Sequence, residues 1–437
     1  MTKRLPIAMF LGSLVLLLLC GNSALAGPPP AYFVDESKLP FDALLGTSTT
    51  RYWGVHGGAG YRVEVPDQWN GELVLYAHGF RGTGLELTVT NPRIRKYLVD
   101  HGYAWAASSY RTNGYDVRQG VKDTHALGQF FNGLVGNPRR TYFTGHSMGG
   151  HITGVAIEQY PQAYVGALPM CGVMGDNELF DYFLDFNLVA QALAGVQAQF
   201  PFPADYQTAV VPSVKAALGP AYPAVLNAQG LKLRGVTQNI SGGPRPAFAT
   251  SFAVWGNFLF TVGVTGGDIG VAPGNVQDNS DTVYQIDSDP ALSPQEIALN
   301  AAVLRVTQDP QGRHPNGLAN IPPISGRLPI PVLSLHTIGD LFVPFSMEQI
   351  YARRAAAEGA SGLLVTRAIR DHGHCGFDVA EEEQAFAALV NWVASGTKPA
   401  GDDILTPATV AAPNFGCQFT VPGHLPTVPF PPFPACP

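Results

Sequence analysis

The chain has 437 residues, 46% of them hydrophobic and only 14% charged. That supports a sizeable buried core and excludes global disorder, with a charged share well below the roughly 25% usual in soluble domains. With 26 Lys and Arg against 33 Asp and Glu, a net charge of −7 and no basic run, nothing is suited to tracking phosphates, and a nucleic-acid partner is excluded. The length asks for one large domain with insertions, or for two to three smaller ones.

The N-terminus reads as an export signal. Lys3-Arg4 precedes an apolar run from Ile7 to Cys20, and Asn22-Ser23-Ala24-Leu25-Ala26 ends in an Ala-x-Ala site, so cleavage is expected after Ala26. The run is shorter than the ~20 residues that span a bilayer, so no stable membrane anchor is expected. A secreted or periplasmic protein follows. Of the five cysteines, Cys20 falls within that segment, leaving Cys171, Cys375, Cys417 and Cys436. An even number in an exported chain favours disulfides, and four cysteines allow three pairings. No CxxC or CxxH spacing points to a structural zinc site.

From about Tyr61 short apolar runs alternate with longer helical patterns, the mark of an α/β fold with a mostly parallel sheet. Strands are expected at Tyr61–Val65, Glu72–Ala77, Ala104–Tyr110, Arg140–Thr144, Val165–Met170, Pro331–His336 and Leu363–Ile369. Helices are expected near Asn91–Asp100, Val117–Leu134, Met148–Tyr160, Pro344–Glu358 and Val379–Ser395. The alternation breaks between about Asp176 and Arg327, a stretch too long for a loop, which opens with a run of aromatic residues. The expected organisation is a discontinuous α/β core at 27–175 and 327–397. A cap or lid is inserted at 176–326, and an extended, Pro-rich tail occupies 398–437.

Arg140-Thr141-Tyr142-Phe143-Thr144 leads into Gly145-His146-Ser147-Met148-Gly149-Gly150 and then a helical pattern. A serine on a sharp turn between strand and helix is the nucleophile elbow, whose glycines allow close backbone approach. The Gly-x-Ser-x-Gly string is weakly specific alone; the strand before it and the helix after it make the case. A serine hydroxyl needs a base and an orienting acid, expected in chain order Ser, acid, His. His374 is preferred as the base because it lies between Gly373 and Gly376, just after a strand and before a helix; His372 is its rival. His424 lies in the Pro-rich tail and is disfavoured. Asp340, at the C-terminal end of the Pro331–His336 strand, is preferred as the acid over Asp176, because open α/β sheets present their chemistry at that edge. The oxyanion donors are expected to be the backbone N–H groups of Met148 and Phe80, with Gly79 turning the loop and His78 structural. Cys171 ends the strand after the elbow and Cys375 adjoins His374. A Cys171–Cys375 bridge would tether the histidine loop, leaving Cys417–Cys436 to close the tail.

On these motifs the chain resembles the α/β-hydrolase superfamily, and its GHSMGG string is similar to that of bacterial secreted lipases, esterases and cutinases. The resemblance covers about 61–175 and 327–397, roughly half the chain. It implies an eight-stranded sheet, the triad Ser147, Asp340 and His374, and no cofactor or metal. The chain departs from cutinases in length and in its 176–326 insertion. It departs from tannase-like and feruloyl esterases, whose elbow carries a cysteine beside the serine, although the His374-Cys375 pair is similar to their tethered histidine. The reading is a secreted serine hydrolase of hydrophobic acyl or aryl esters, its partner a small-molecule, lipid or polyester ester. Two alternatives stand beside it: a prolyl-oligopeptidase-like peptidase, which needs an amine-binding acidic pair, and a catalytically silent scaffold used for binding.

Overall fold

The structure, a computed structural model, describes residues 31–264, 274–310, 312, 321–427 and 429–437. The expected export segment 1–26 lies outside the described residues, as do parts of the 176–326 insertion. In chain order the strands are β1 Phe33–Val34, β2 Thr49–His56, β3 Ala59–Pro66, β4 Glu72–Ala77, β5 Glu86–Leu87, β6 Ala104–Ser108, β7 Arg140–His146, β8 Gly166–Met170, β9 Val332–Thr337 and β10 Leu364–Ile369. The helices are α1 Arg95–Asp100, α2 Val117–Leu134, α3 Met148–Gln159, α4 Glu178–Ala194, α5 Val211–Leu218, α6 Ala228–Ile240, α7 Phe248–Trp255, α8 Pro294–Ala302, α9 Ser346–Ala357, α10 Val379–Ser395 and α11 Pro407–Val410.

Eight strands form one sheet in the order β10-β9-β8-β7-β4-β6-β3-β2. All its pairs are parallel except β3 with β6 and β2 with β3. Strands β4, β6, β8, β9 and β10 are buried along their whole length, as strands covered on both faces must be. The pleat divides them. Leu73, Leu75 and Phe143 pack with α2, α3 and α9, whereas Val74, Tyr76, Trp105 and Tyr142 face α1 and α10. Helix α2 starts where Asp116 accepts a bond from the Gln119 N–H, and α10 opens on a full Asp378/Glu381 capping box and stops at Gly396.

Several elements depart from the sequence expectation, the two-residue strands β1 and β5 among them. Strand β2 has no counterpart in it, because an edge strand with no fully buried residue lacks the apolar alternation that marks a half-buried one. Helix α1 begins at Arg95 rather than Asn91, since Pro92 and its neighbours form the turn that precedes it.

Within 176–326, α4 buries residues all round its circumference, including Phe180, Phe183 and Phe186, and its apolar cluster is continuous with that of the sheet. The tail is also more than an extended strip. It carries α11, and Ile404, Val410 and Phe415 form a small core with Ile338, Phe345 and Ala368. Asp402 lies along the outer edge of β10, its N–H donating to the Thr366 carbonyl at 2.8 Å and its carboxylate accepting from the Ala368 N–H at 2.7 Å. The tail therefore satisfies an edge that would otherwise be open to another strand. Among the described residues, no helix is long and apolar enough to cross a membrane.

Candidate active site

Ser147 sits between β7 and α3 with φ 58° and ψ −122°, a conformation an L-residue adopts only where its surroundings enforce it. Gly149 explains part of that enforcement: a methyl group there would lie 2.1 Å from the Ala77 carbonyl oxygen, so only glycine lets α3 approach β4 this closely. The elbow puts the serine hydroxyl at the C-terminal edge of the sheet.

His374, in the loop between β10 and α10, meets Ser147 there. The Ser147 hydroxyl donates to His374 Nε2 at 2.8 Å, and His374 Nδ1 donates to Asp340 Oδ2 at 2.6 Å. Asp340, beyond the end of β9, is fully buried, and its other oxygen accepts the N–H groups of Phe342 at 2.8 Å and Val343 at 3.1 Å. These bonds fix the carboxylate's rotamer and so the tilt of the imidazole. The three residues expected from the sequence are thus brought into one hydrogen-bonded line.

The rivals lie elsewhere. Asp176 pairs with Arg354 and accepts the Ile324 N–H at 2.9 Å, on the side of α9. His372 is buried against α7, where Ser251 Oγ lies 2.8 Å from its Nδ1 and the Trp255 indole donates to its carbonyl at 2.7 Å. Burial holds His372 down at about 4 and therefore neutral. His424 is held between Asp371 and Glu381. His78 stacks on Tyr110, reaches the Gly79 and Ser109 carbonyls and is lowered by burial, then by Arg81, to about 4, as a structural residue would be.

The loop carrying Gly79 and Phe80 runs beside the serine: a methyl on Gly79 would lie 3.1 Å from Ser147 Cβ. Met148 is buried at the first position of α3. Cys171, at the end of β8, is bridged to Cys375, and Cys417 to Cys436. Cys171, Cys375 and His374 present ligand atoms within 4.8 Å of one another, but the two sulfurs are bonded to each other and offer no thiolate to a metal.

Several supporting residues were not legible in the sequence. Arg93 donates to the Cys375 carbonyl at 3.3 Å and the Phe377 carbonyl at 2.6 Å, and pairs with the buried Glu382 at 2.7 Å. It grips the histidine loop from the turn before α1, on the face of the sheet that α10 covers. Arg245, from the inserted segment, is buried behind Asp340 and donates to the Ile338 carbonyl at 2.6 Å; burial lowers it to about 10, leaving it charged at neutral pH. The Tyr182 hydroxyl donates to the Leu341 carbonyl at 3.0 Å. No local pattern marks such residues, since each acts on a backbone carbonyl far away in the chain.

A chain of aromatic rings leads away from one side of the histidine. Phe342 meets the His374 ring edge-on at 5.0 Å, Phe258 meets Phe342 at 4.9 Å, and Trp255 packs on Phe258 at 5.3 Å and on Phe430 at 5.2 Å. Phe258, Phe342 and Phe430 are each partly exposed, so this wall has apolar surface to offer.

Comparison with known proteins agrees with the architecture. No family model matches the chain. Its sequence is similar to an o-phthalyl amidase of Xanthobacter agilis, 22% identical over 83% of this chain and 91% of the relative. Its structure is similar to feruloyl esterase B from Aspergillus oryzae, with a TM-score of 0.51, 14% identity and coverage of 85% of this chain and 86% of that one. An esterase from Aspergillus oryzae gives a TM-score of 0.48 at 12% identity, over 85% of this chain and 86% of that one. A largely parallel eight-stranded sheet, a serine on the turn after β7 and a likeness of this extent together identify the fold of this chain as that of the α/β-hydrolases.

Proposed function

We propose that this chain is an exported serine hydrolase that cleaves carboxylic esters with hydrophobic or aryl acyl groups. The observation that carries the reading is the line of hydrogen bonds from Ser147 through His374 to Asp340, at 2.8 and 2.6 Å. Ser147 Oγ attacks the ester carbonyl carbon while His374 Nε2 takes its proton. Asp340 holds the imidazole in the tautomer that can accept it, and stabilises the imidazolium that forms. The N–H groups of Met148 and Phe80 receive the developing oxyanion. His374 then returns the proton to the leaving alkoxide as the C–O bond breaks. A water molecule repeats the sequence on the acyl-enzyme and releases the acid with Ser147 restored.

The aromatic wall of Phe342, Phe258 and Trp255 supports an apolar acyl group. Segment 176–326 supplies two of these rings and, through Ser251 and Trp255, touches the histidine loop, which supports its role as a cap. The two disulfides and the residue pattern of 1–26 support export.

A second reading, amide hydrolysis, is favoured by the likeness to an o-phthalyl amidase. The same nucleophile serves, but the leaving amine must be protonated as the C–N bond breaks. Initial rates on p-nitrophenyl esters from two to sixteen carbons, with benzoyl esters and matching p-nitroanilides, test both readings. Ester turnover that Ser147→Ala lowers by about 10⁴-fold or more is expected. Turnover confined to the anilides would replace the first reading by the second, and no Ser147-dependent rate on any of them would overturn both.

A further inference from the structure

The tail residue His424 has no part in the proton transfers above, yet it is held more closely than a surface histidine needs to be. Its side chain is only 7% exposed. One ring nitrogen, Nε2, lies 2.9 Å from Asp371 Oδ2, and the other, Nδ1, lies 2.9 Å from Glu381 Oε1. Each carboxylate is itself buried. A neutral imidazole has one N–H and could serve only one of them; between two carboxylate oxygens, both nitrogens donate and the ring is a cation. Burial alone would disfavour that charge, but the two carboxylates outweigh it and hold His424 at about 9.

The two carboxylates bracket the loop that carries His374. Asp371 Oδ1 accepts the N–H of Gly373, the residue before His374, and Asp371 Oδ2 also accepts the tail's Thr427 N–H at 3.0 Å. Glu381 is the capping-box residue of α10; it accepts the Asp378 N–H at 2.8 Å and the tail's Val421 N–H at 3.0 Å. The tail lies directly on the loop: a methyl on Gly376 would be 2.5 Å from Thr427 Oγ1. Cys417–Cys436 closes the tail around His424 and so limits how far it can leave the loop. The loop is thus anchored in its middle by Cys171–Cys375, toward its end by Arg93, and at both flanks by His424.

We infer that His424 is a positioning residue: from the tail it clamps Asp371 to Glu381 and thereby holds His374 at hydrogen-bond distance from Ser147. This rests on the reading of His374 as the general base. Without the cation, two buried carboxylates face each other, and the loop relaxes by moving its flanks apart. A shift of the imidazole by a fraction of an ångström lengthens the 2.8 Å bond to Ser147 and slows proton transfer, while the apolar wall that binds the acyl group stays in place.

The test uses the full-length protein and p-nitrophenyl butyrate, with His424→Gln and Asp371→Asn compared after counting active sites by stoichiometric fluorophosphonate labelling. For each variant kcat per labelled site is expected to fall at least tenfold with KM within twofold. Hydrogen exchange in the peptide spanning residues 370–378 is expected to quicken at least tenfold, with exchange in β4 and β7 unchanged. A purely structural role would lower the number of labelled sites and leave kcat per site as in the wild type; that result overturns the inference. Unchanged exchange at 370–378 also overturns it. A wild-type chain with no Ser147-dependent turnover overturns the functional reading and this role together. Wild-type turnover that both variants retain within twofold overturns the role alone.

Discussion

Arg354 and Asp176 form an ion pair across 178 residues of chain, the carboxylate buried and the guanidinium about a quarter exposed. The same Arg354 donates to the Ile324 carbonyl at 2.9 Å, so the pair closes the two ends of the inserted segment onto α9. Asp176 is thereby committed to structure, and the acid beside His374 is Asp340. The two aspartates are expected to separate in experiment. Asp340→Asn lowers kcat by about three to four orders of magnitude through the wrong imidazole tautomer, with a melting temperature close to that of the wild type. Asp176→Asn leaves kcat within a fewfold and destabilises the protein by about 2 kcal/mol, the cost of a half-broken buried pair reduced by the solvent access of Arg354. Kinetics and thermal denaturation of the two variants decide it.

The Cys171–Cys375 bridge spans 204 residues and joins the end of β8 to the residue after His374. Its removal is expected to affect both stability and turnover. Cys171→Ala with Cys375→Ala costs about 2–5 kcal/mol in chemical denaturation, chiefly by freeing the unfolded chain. It also lowers kcat, because the loop loses its anchor nearest to the imidazole. A double variant with wild-type kcat would show that Arg93 and the tail suffice.

Stability is expected to have opposing slopes on the two sides of about pH 6.5. His424 is held up at about 9 in the fold, with burial outweighed by Asp371 and Glu381, so its contribution is complete below the ordinary histidine value of about 6.5 and is lost as pH rises through 9. His78 and His372 are pushed down to about 4, both chiefly by burial, so the unfolded state takes up protons that the fold refuses; stability falls as pH drops from about 6.5 toward 4. Denaturant midpoints measured from pH 4 to 10 are expected to peak near 6.5. His424→Gln flattens the alkaline slope and leaves the acid slope; an unchanged alkaline slope would mean that His424 is not the group responsible.

Phe342 lies edge-on to His374 and joins it to Phe258 and Phe183. Phe342→Ala is expected to raise KM for a benzoyl ester about tenfold or more and for an acetyl ester much less, since only the larger acyl group reaches the wall. Equal losses on both substrates would assign Phe342 to the posture of His374 instead.

Much of this protein is determined by the sequence alone. Local rules carry the central strands, because β4, β6 and β8 are largely apolar runs between turns. They carry α2 and α10, because their caps and spacing are written in adjacent residues. The strand–Ser147–helix turn is equally local, since a sharp bend with close backbone contact leaves its glycines in the string. Chain order and position after a strand favour His374 over His372 and Asp340 over Asp176 but leave both pairs open. What only the tertiary structure decided are contacts between groups far apart in the chain. These are the meeting of Ser147 with His374 across 227 residues, the diversion of Asp176 to Arg354, and the grip of Arg93, Arg245 and His424 on the loops beneath the site. The edge strand β2 and the tail along β10 belong with these. An exposed strand and a Pro-rich segment have no periodicity to read, and their order comes from the edges they complete. Local periodicity reports which face of an element is buried. It carries no information on which distant partner buries it, and the site is assembled from those partners.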